Sequence, residues 1–123
     1  MTEAMRSMQP RGYAALSWGA IALGLLHTAA TSRMMSPLTQ ASLWFASAGL
    51  LMMLVGMVNL LNRRYGASAR GLRRVTIGVN IVILAFAVTT GLLGKKTGAL
   101  DWVVVLGIFG GMLALSTQRR ALL

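Results

Sequence analysis

Four stretches without a single Asp, Glu, Lys or Arg divide this chain, and each is close to the length that crosses a lipid bilayer. They run over residues 12–31, 38–62, 75–94 and 102–118. A hydrocarbon core about 30 Å thick takes roughly 20 apolar residues in a helix. The last run is shorter, and it reaches across if Arg119 and Arg120 extend to the headgroups on their aliphatic stems. Backbone groups in lipid must satisfy one another, so segments this apolar are helices. No alternation of apolar and polar residues suggests a barrel strand, even in the Val/Ile-rich third run. The expectation is an all-α, integral membrane four-helix bundle of up-down topology. It forms a single transmembrane domain over 1–123, with helices over 12–32, 39–62, 74–94 and 101–118.

Composition supports this. Charged residues make up 11% of the 123 residues and hydrophobic ones 56%, against about 25% charged in soluble domains. The first apolar stretch is long for a signal-peptide core, so all four helices are expected to be retained. The links are short. A turn surrounds Pro37, residues 63–73 form a basic loop, and Lys95 to Asp101 joins the last two helices. Short links make successive helices antiparallel neighbours.

The positive charges then orient the bundle. Arg6, Arg11, Arg63, Arg64, Arg70, Arg73, Arg74, Arg119 and Arg120 fall at one end, nine in all. Arg33, Lys95 and Lys96 fall at the other. The positive-inside rule places the nine in the cytoplasm, with both termini. This distribution, rather than nucleic-acid binding, accounts for the net charge of +10, and no nucleic-acid partner is expected.

Several chemistries lack material. There is no cysteine, and the only acids are Glu3 and Asp101. Thiolate metal sites, cysteine nucleophiles and paired-carboxylate catalysis are therefore absent from one chain. No nucleophile–base pair or phosphate loop is present, and no catalytic residue is assigned. Nine methionines suit Cu(I), yet methionine is also an ordinary filler of apolar helices, and no metal site is assigned.

What remains is small-residue packing and polar groups at membrane depth. Helices in lipid associate where small residues let backbones approach. At 100° per residue, Ala20 and Gly24 mark such a face on the first helix, Gly49 and Gly56 on the second, Gly91 on the third, and Gly107 with Gly111 on the fourth. Polar intramembrane residues are costly and mark sites. One layer holds His27, Thr31, Thr89, Thr90 and Asp101, the candidates for ligand or proton handling. The other holds Asn59 and Asn80, expected to meet across adjacent antiparallel helices. His27 is the sole histidine. It can hydrogen-bond a neighbour, handle protons, or ligate a metal or haem, although bis-histidine haem would require two chains.

The size resembles that of the small multidrug exporters, but their membrane-embedded glutamate has no counterpart in the first helix here. Val79–Asn80 is similar to a pair in the fluoride channels, whose other motifs are missing. Gly24-x-x-His27 closing the first helix and Trp44-Phe45-x-x-x-Gly49 opening the second resemble small bacterial four-span membrane proteins of no assigned activity. That resemblance covers mainly the first hairpin and implies a bacterial inner-membrane location. The functional expectation is a non-enzymatic binding or accessory subunit for a hydrophobic ligand or larger membrane complex, with membrane lipids as neighbours. The alternatives are a homo-oligomeric transporter or channel and, third, a haem or quinone protein using His27.

Overall fold

The computed structural model describes residues 3–35, 37–94 and 98–123, with side chains from residue 8 onward. Four helices follow in order: α1 Glu3–Met34, α2 Gln40–Tyr65, α3 Arg70–Leu93 and α4 Ala99–Ser116. No strand occurs among the described residues. The chain is an all-α four-helix bundle, and each helix is long and apolar enough to cross a membrane. Large apolar side chains cover its outside; Phe86 is 58% exposed and Leu26 is 68% exposed. An apolar surface this continuous needs lipid against it.

Local chemistry starts α2 and α4. Thr39 precedes α2; its hydroxyl accepts the Ser42 N–H at 3.2 Å, while the Ser42 hydroxyl accepts the Thr39 N–H at 2.7 Å. This reciprocal cap satisfies two otherwise orphaned donors. At α4, Asp101 accepts the Gly98 N–H at 2.9 Å, and its negative charge suits a helix N-terminus.

Helix ends differ from the sequence-based boundaries. α1 begins at Glu3 rather than residue 12, because the helix continues through Pro10 and Arg11 outside the apolar window. α3 starts at Arg70 rather than 74. α4 ends at Ser116 instead of 118, and the chain then turns back through a short 3₁₀ turn, Arg119–Ala121. That turn buries Ala121 and Leu122 against Tyr13, and the Leu123 N–H bonds the Arg63 carbonyl at 2.7 Å. Arg119 and Arg120 therefore lie exposed on a turn, not on a straight continuation of the span.

The seam between α1 and α2 is closed by bare backbone. A Cβ on Gly24 would run into the Gly49 carbonyl and the Met53 side chain, one on Gly49 into Thr28, and one on Gly56 would lie 2.6 Å from the Ser17 carbonyl. Glycine is what permits this approach. Gly91 similarly receives the Trp102 ring, 2.9 Å from where a Cβ would stand, and Gly111 receives Leu16. Ala20 lies in the core with Val55, Ile83, Phe109 and Met112.

Gly107 corrects the sequence reading. Nothing approaches within 4 Å of where its Cβ would be, so it packs against no described neighbour. The cause lies in α4, where Leu106–Gly110 forms a π-helical turn. A π turn inserts an extra residue, so the 100° spacing that aligned Gly107 with Gly111 breaks between them. The same turn leaves Phe109 fully buried.

Candidate functional site

Polar side chains inside the bundle fall into two groups, one near the basic end and one near the far end. Near the basic end, Asn59 of α2 and Asn80 of α3 exchange a pair of amide hydrogen bonds, each 2.8 Å. The Tyr13 hydroxyl of α1 donates to Asn59 Oδ1 at 2.7 Å and accepts from Asn62 Nδ2 at 2.9 Å. Asn59 also donates to the Val55 carbonyl at 2.8 Å. All four residues are completely buried. Ser17, Thr76 and Ser116, also fully buried, bond carbonyls of their own helices. Arg63 Nε donates to the Pro10 carbonyl at 2.7 Å, and Arg73 donates to the Ser116 and Thr117 carbonyls at the end of α4.

Tyr13 and Asn62 belong to this network and were missed by sequence reasoning. Asn62 looked like the end of a span, and Tyr13 was assigned no role. The available signal was spacing, since Asn59 and Asn62 stand three apart and share a helix face.

The far-end group is arranged around a cavity of about 850 Å³ between α2, α3 and α4. Its wall is apolar and aromatic, with Trp44, Phe45, Phe86 and Phe109 among the lining residues. Of the five candidates from the sequence, His27, Thr90 and Asp101 line it. Thr31 does not; it is buried and bonds the His27 carbonyl at 3.1 Å. Thr89 is exposed outside the cavity wall and bonds the Ala85 carbonyl at 2.8 Å. Thr90 likewise bonds its own helix, at the Phe86 carbonyl, 2.9 Å away. His27 and Asp101 share the cavity without a hydrogen bond or ion pair between them. Lys95 and Lys96 lie outside the described residues.

His27 is held by stacking on Phe45, with ring centroids 4.0 Å apart and planes at 22°. Its Nε2 atom is enclosed and has no hydrogen-bond partner. A buried polar atom left unmatched costs about 1–3 kcal/mol, and among the described residues this nitrogen is the enclosed side-chain atom of the far end left without a partner. For haem it supplies a single axial ligand, and among the described residues of the wall no Lys or Arg stands to meet propionates. Among the described residues, no three His, Cys, Asp or Glu side chains gather to hold a metal ion.

Four apolar spans, a buried amide network at one end and an aromatic cavity at the other define the class: a multi-pass membrane protein with a lateral cavity. No protein-family model, curated protein or solved structure matches the chain.

Proposed function

We propose that this chain is a small bacterial inner-membrane protein, with both termini cytoplasmic, that acts as a non-enzymatic binding or accessory subunit for a hydrophobic ligand. One observation carries the reading: the cavity at the far end is large and aromatic, and among the described residues its polar lining is the Trp44 indole, His27, Thr90 and Asp101. Ligand pockets are typically about 300–1,000 Å³, mostly apolar, with a few polar groups that orient the occupant. The catalytic alternative lacks support, because among the described residues no base sits beside a nucleophile and Asn59 and Asn80 of the other layer are engaged with one another. The bacterial location rests on the first-hairpin motifs, and the orientation on the nine-to-three charge bias.

Native mass spectrometry after gentle extraction tests the binding reading. The expected result is the chain carrying a small apolar molecule, or another subunit. A strictly ligand-free monomer would oppose it, and a symmetric homo-oligomer sealing the cavity between copies would favour transport. Orientation is tested separately, since the chain has no cysteine of its own. In intact cells, Ser68→Cys should be shielded from an impermeant thiol reagent and Met35→Cys should be labelled; the reverse pattern would invert the topology.

A further inference from the structure

The basic end of the bundle carries nine arginines and no lysine, while Lys95 and Lys96 both belong to the far end. The positive-inside rule counts the two residue types alike. Orientation therefore accounts for the charge and leaves the choice of arginine unexplained. The two types differ in how they meet phosphate. A guanidinium offers parallel N–H donors to two oxygens at once, whereas an ammonium is a hydrated point charge.

Some of these arginines are occupied within the fold. Arg63 donates to the Pro10 carbonyl, Arg73 to the Ser116 and Thr117 carbonyls, and Arg64 lies over the Tyr65 ring. Arg11, Arg70, Arg74 and Arg119 are exposed and have no partner among the described residues. They gather around the end of α4. The bonds from Arg73 bring the first turn of α3 against Ser116 and Thr117, and Arg119 follows two residues on. From the other side, Gln9 of α1 donates to Gln118 at 3.2 Å, which brings Arg11 to the same corner.

The charge there is uncompensated. Asp101 lies in the first turn of α4 at the far end, so nine arginines face at most one acidic side chain, Glu3. Arg70 and Arg74 stand four residues apart on one face of α3, a like-charge spacing that destabilises a helix. A bound anion turns that repulsion into attraction. Farther along α3 the surface is apolar, with Val75 61% exposed and Ile81 52% exposed. The four arginines thus stand where apolar surface ends, at the level of the headgroups in a bilayer.

We propose that Arg11, Arg70, Arg74 and Arg119 form a docking surface for an anionic phospholipid, whose phosphodiester oxygens accept from the guanidinium groups. Depth selects this anion, because the bilayer itself holds lipid phosphates at the ends of the spans, where basic clusters attract anionic headgroups. The surface lies at the opposite end from the cavity and is independent of what the cavity holds.

The full chain, stripped of lipid in a neutral detergent, is titrated with phosphatidylglycerol and with phosphatidylcholine of the same acyl chains, followed by native mass spectrometry. Phosphatidylglycerol is expected to bind more tightly, with a preference that shrinks as salt is raised. Arg70→Gln with Arg74→Gln should weaken it about thirty-fold, or about five-fold for each charge withdrawn, and leave phosphatidylcholine unchanged. Arg70→Lys with Arg74→Lys keeps the charge and should still lose part of the affinity. Arg33→Gln, at the far end, should leave phosphatidylglycerol binding as it was. Thermal unfolding without lipid checks the fold, and the Gln pair should hold or raise the midpoint because a repulsion is gone. Equal binding of the two lipids, or indifference of phosphatidylglycerol to the Gln pair, would overturn the proposal. So would an equal loss from Arg33→Gln, which would reduce the effect to net charge. Full affinity in the Lys pair would overturn recognition by the guanidinium fork. Displacement of the lipid by a short RNA would give the surface to nucleic acid instead.

Discussion

α2 takes part in two seams of opposite character. Against α1 it is closed to backbone contact by Gly24, Gly49 and Gly56, where even a methyl group has no room. Against α3 it is joined at the basic end by the Asn59–Asn80 amide pair and separated above that by a groove. In lipid, apolar side chains gain little by leaving the bilayer for a helix interface. A seam therefore closes only where small residues allow dense contact or polar groups demand partners. The α1–α2 seam has both along its length, including Thr28 donating to the Ala46 carbonyl at 3.4 Å. The α2–α3 seam has the polar pair at one end and bulky Leu51, Ile83 and Phe86 above it, so its upper part remains open.

The largest effect should come from breaking the closed seam. Gly24→Leu places a branched side chain against the Gly49 carbonyl and Met53. Backbone cannot yield as a flexible side chain does, so the two helices must separate. Overpacking alone costs about 1–3 kcal/mol, and loss of the neighbouring contacts adds to it. Thermal unfolding in detergent should drop steeply or the variant should fail to accumulate; retention of the parental midpoint would show that the seam is not close-packed.

Next is the polar pair that ties the open seam. Asn59→Leu leaves Asn80 without its amide partner and Tyr13 without its acceptor, all in the dry interior. The expected loss is about 1–3 kcal/mol. The double variant Asn59→Leu with Asn80→Leu should be less harmful than the two single losses added, because it leaves fewer orphans. Strict additivity in this cycle would mean that the amides do not pair.

These cases show how much was legible. Runs without charge give four spans directly, because lipid tolerates nothing else. The meeting of Asn59 and Asn80 followed from depth on antiparallel neighbours. Gly24, Gly49 and Gly56 were visible as a small-residue stripe. The cavity was not visible, since it depends on where bulky residues hold α3 away from α2, and that is a property of pairs of helices. His27 was conspicuous for its rarity, but its enclosed nitrogen and its stacking on Phe45 depend on the tertiary arrangement. The same holds for Thr89, which depth grouped with Thr90 and which the rotation of α3 places outside the cavity wall.

A smaller effect on stability is expected at His27. Removing the unmatched Nε2 relieves a cost of about 1–3 kcal/mol, and losing the ring from Phe45 forfeits about 0.5–1.5 kcal/mol. The two oppose each other, so His27→Leu should cost no more than about 0.5 kcal/mol of stability. This sharpens the contrast with Asn59, an equally polar residue at membrane depth. A large destabilisation of His27→Leu, measured by the same thermal unfolding, would assign the histidine to holding the fold instead of meeting a ligand.

The smallest effect should be at Gly107, and it separates the closed seam from its imitation in α4. Sequence spacing placed Gly107 in the same class as Gly24, yet no atom lies within 4 Å of its would-be Cβ. The π turn over Leu106–Gly110 rotates it away from the neighbouring helices. Gly107→Ala therefore removes backbone entropy from the unfolded chain without creating a clash, worth up to about 1 kcal/mol of stabilisation. Gly24→Ala, by contrast, should destabilise, since even a methyl meets the Gly49 carbonyl. Opposite signs for the same chemical change at two helical glycines would confirm that the π turn sets which face of α4 enters the bundle. Destabilisation at both would mean that α4 runs without the extra residue, as a regular helix with Gly107 and Gly111 on one packed face.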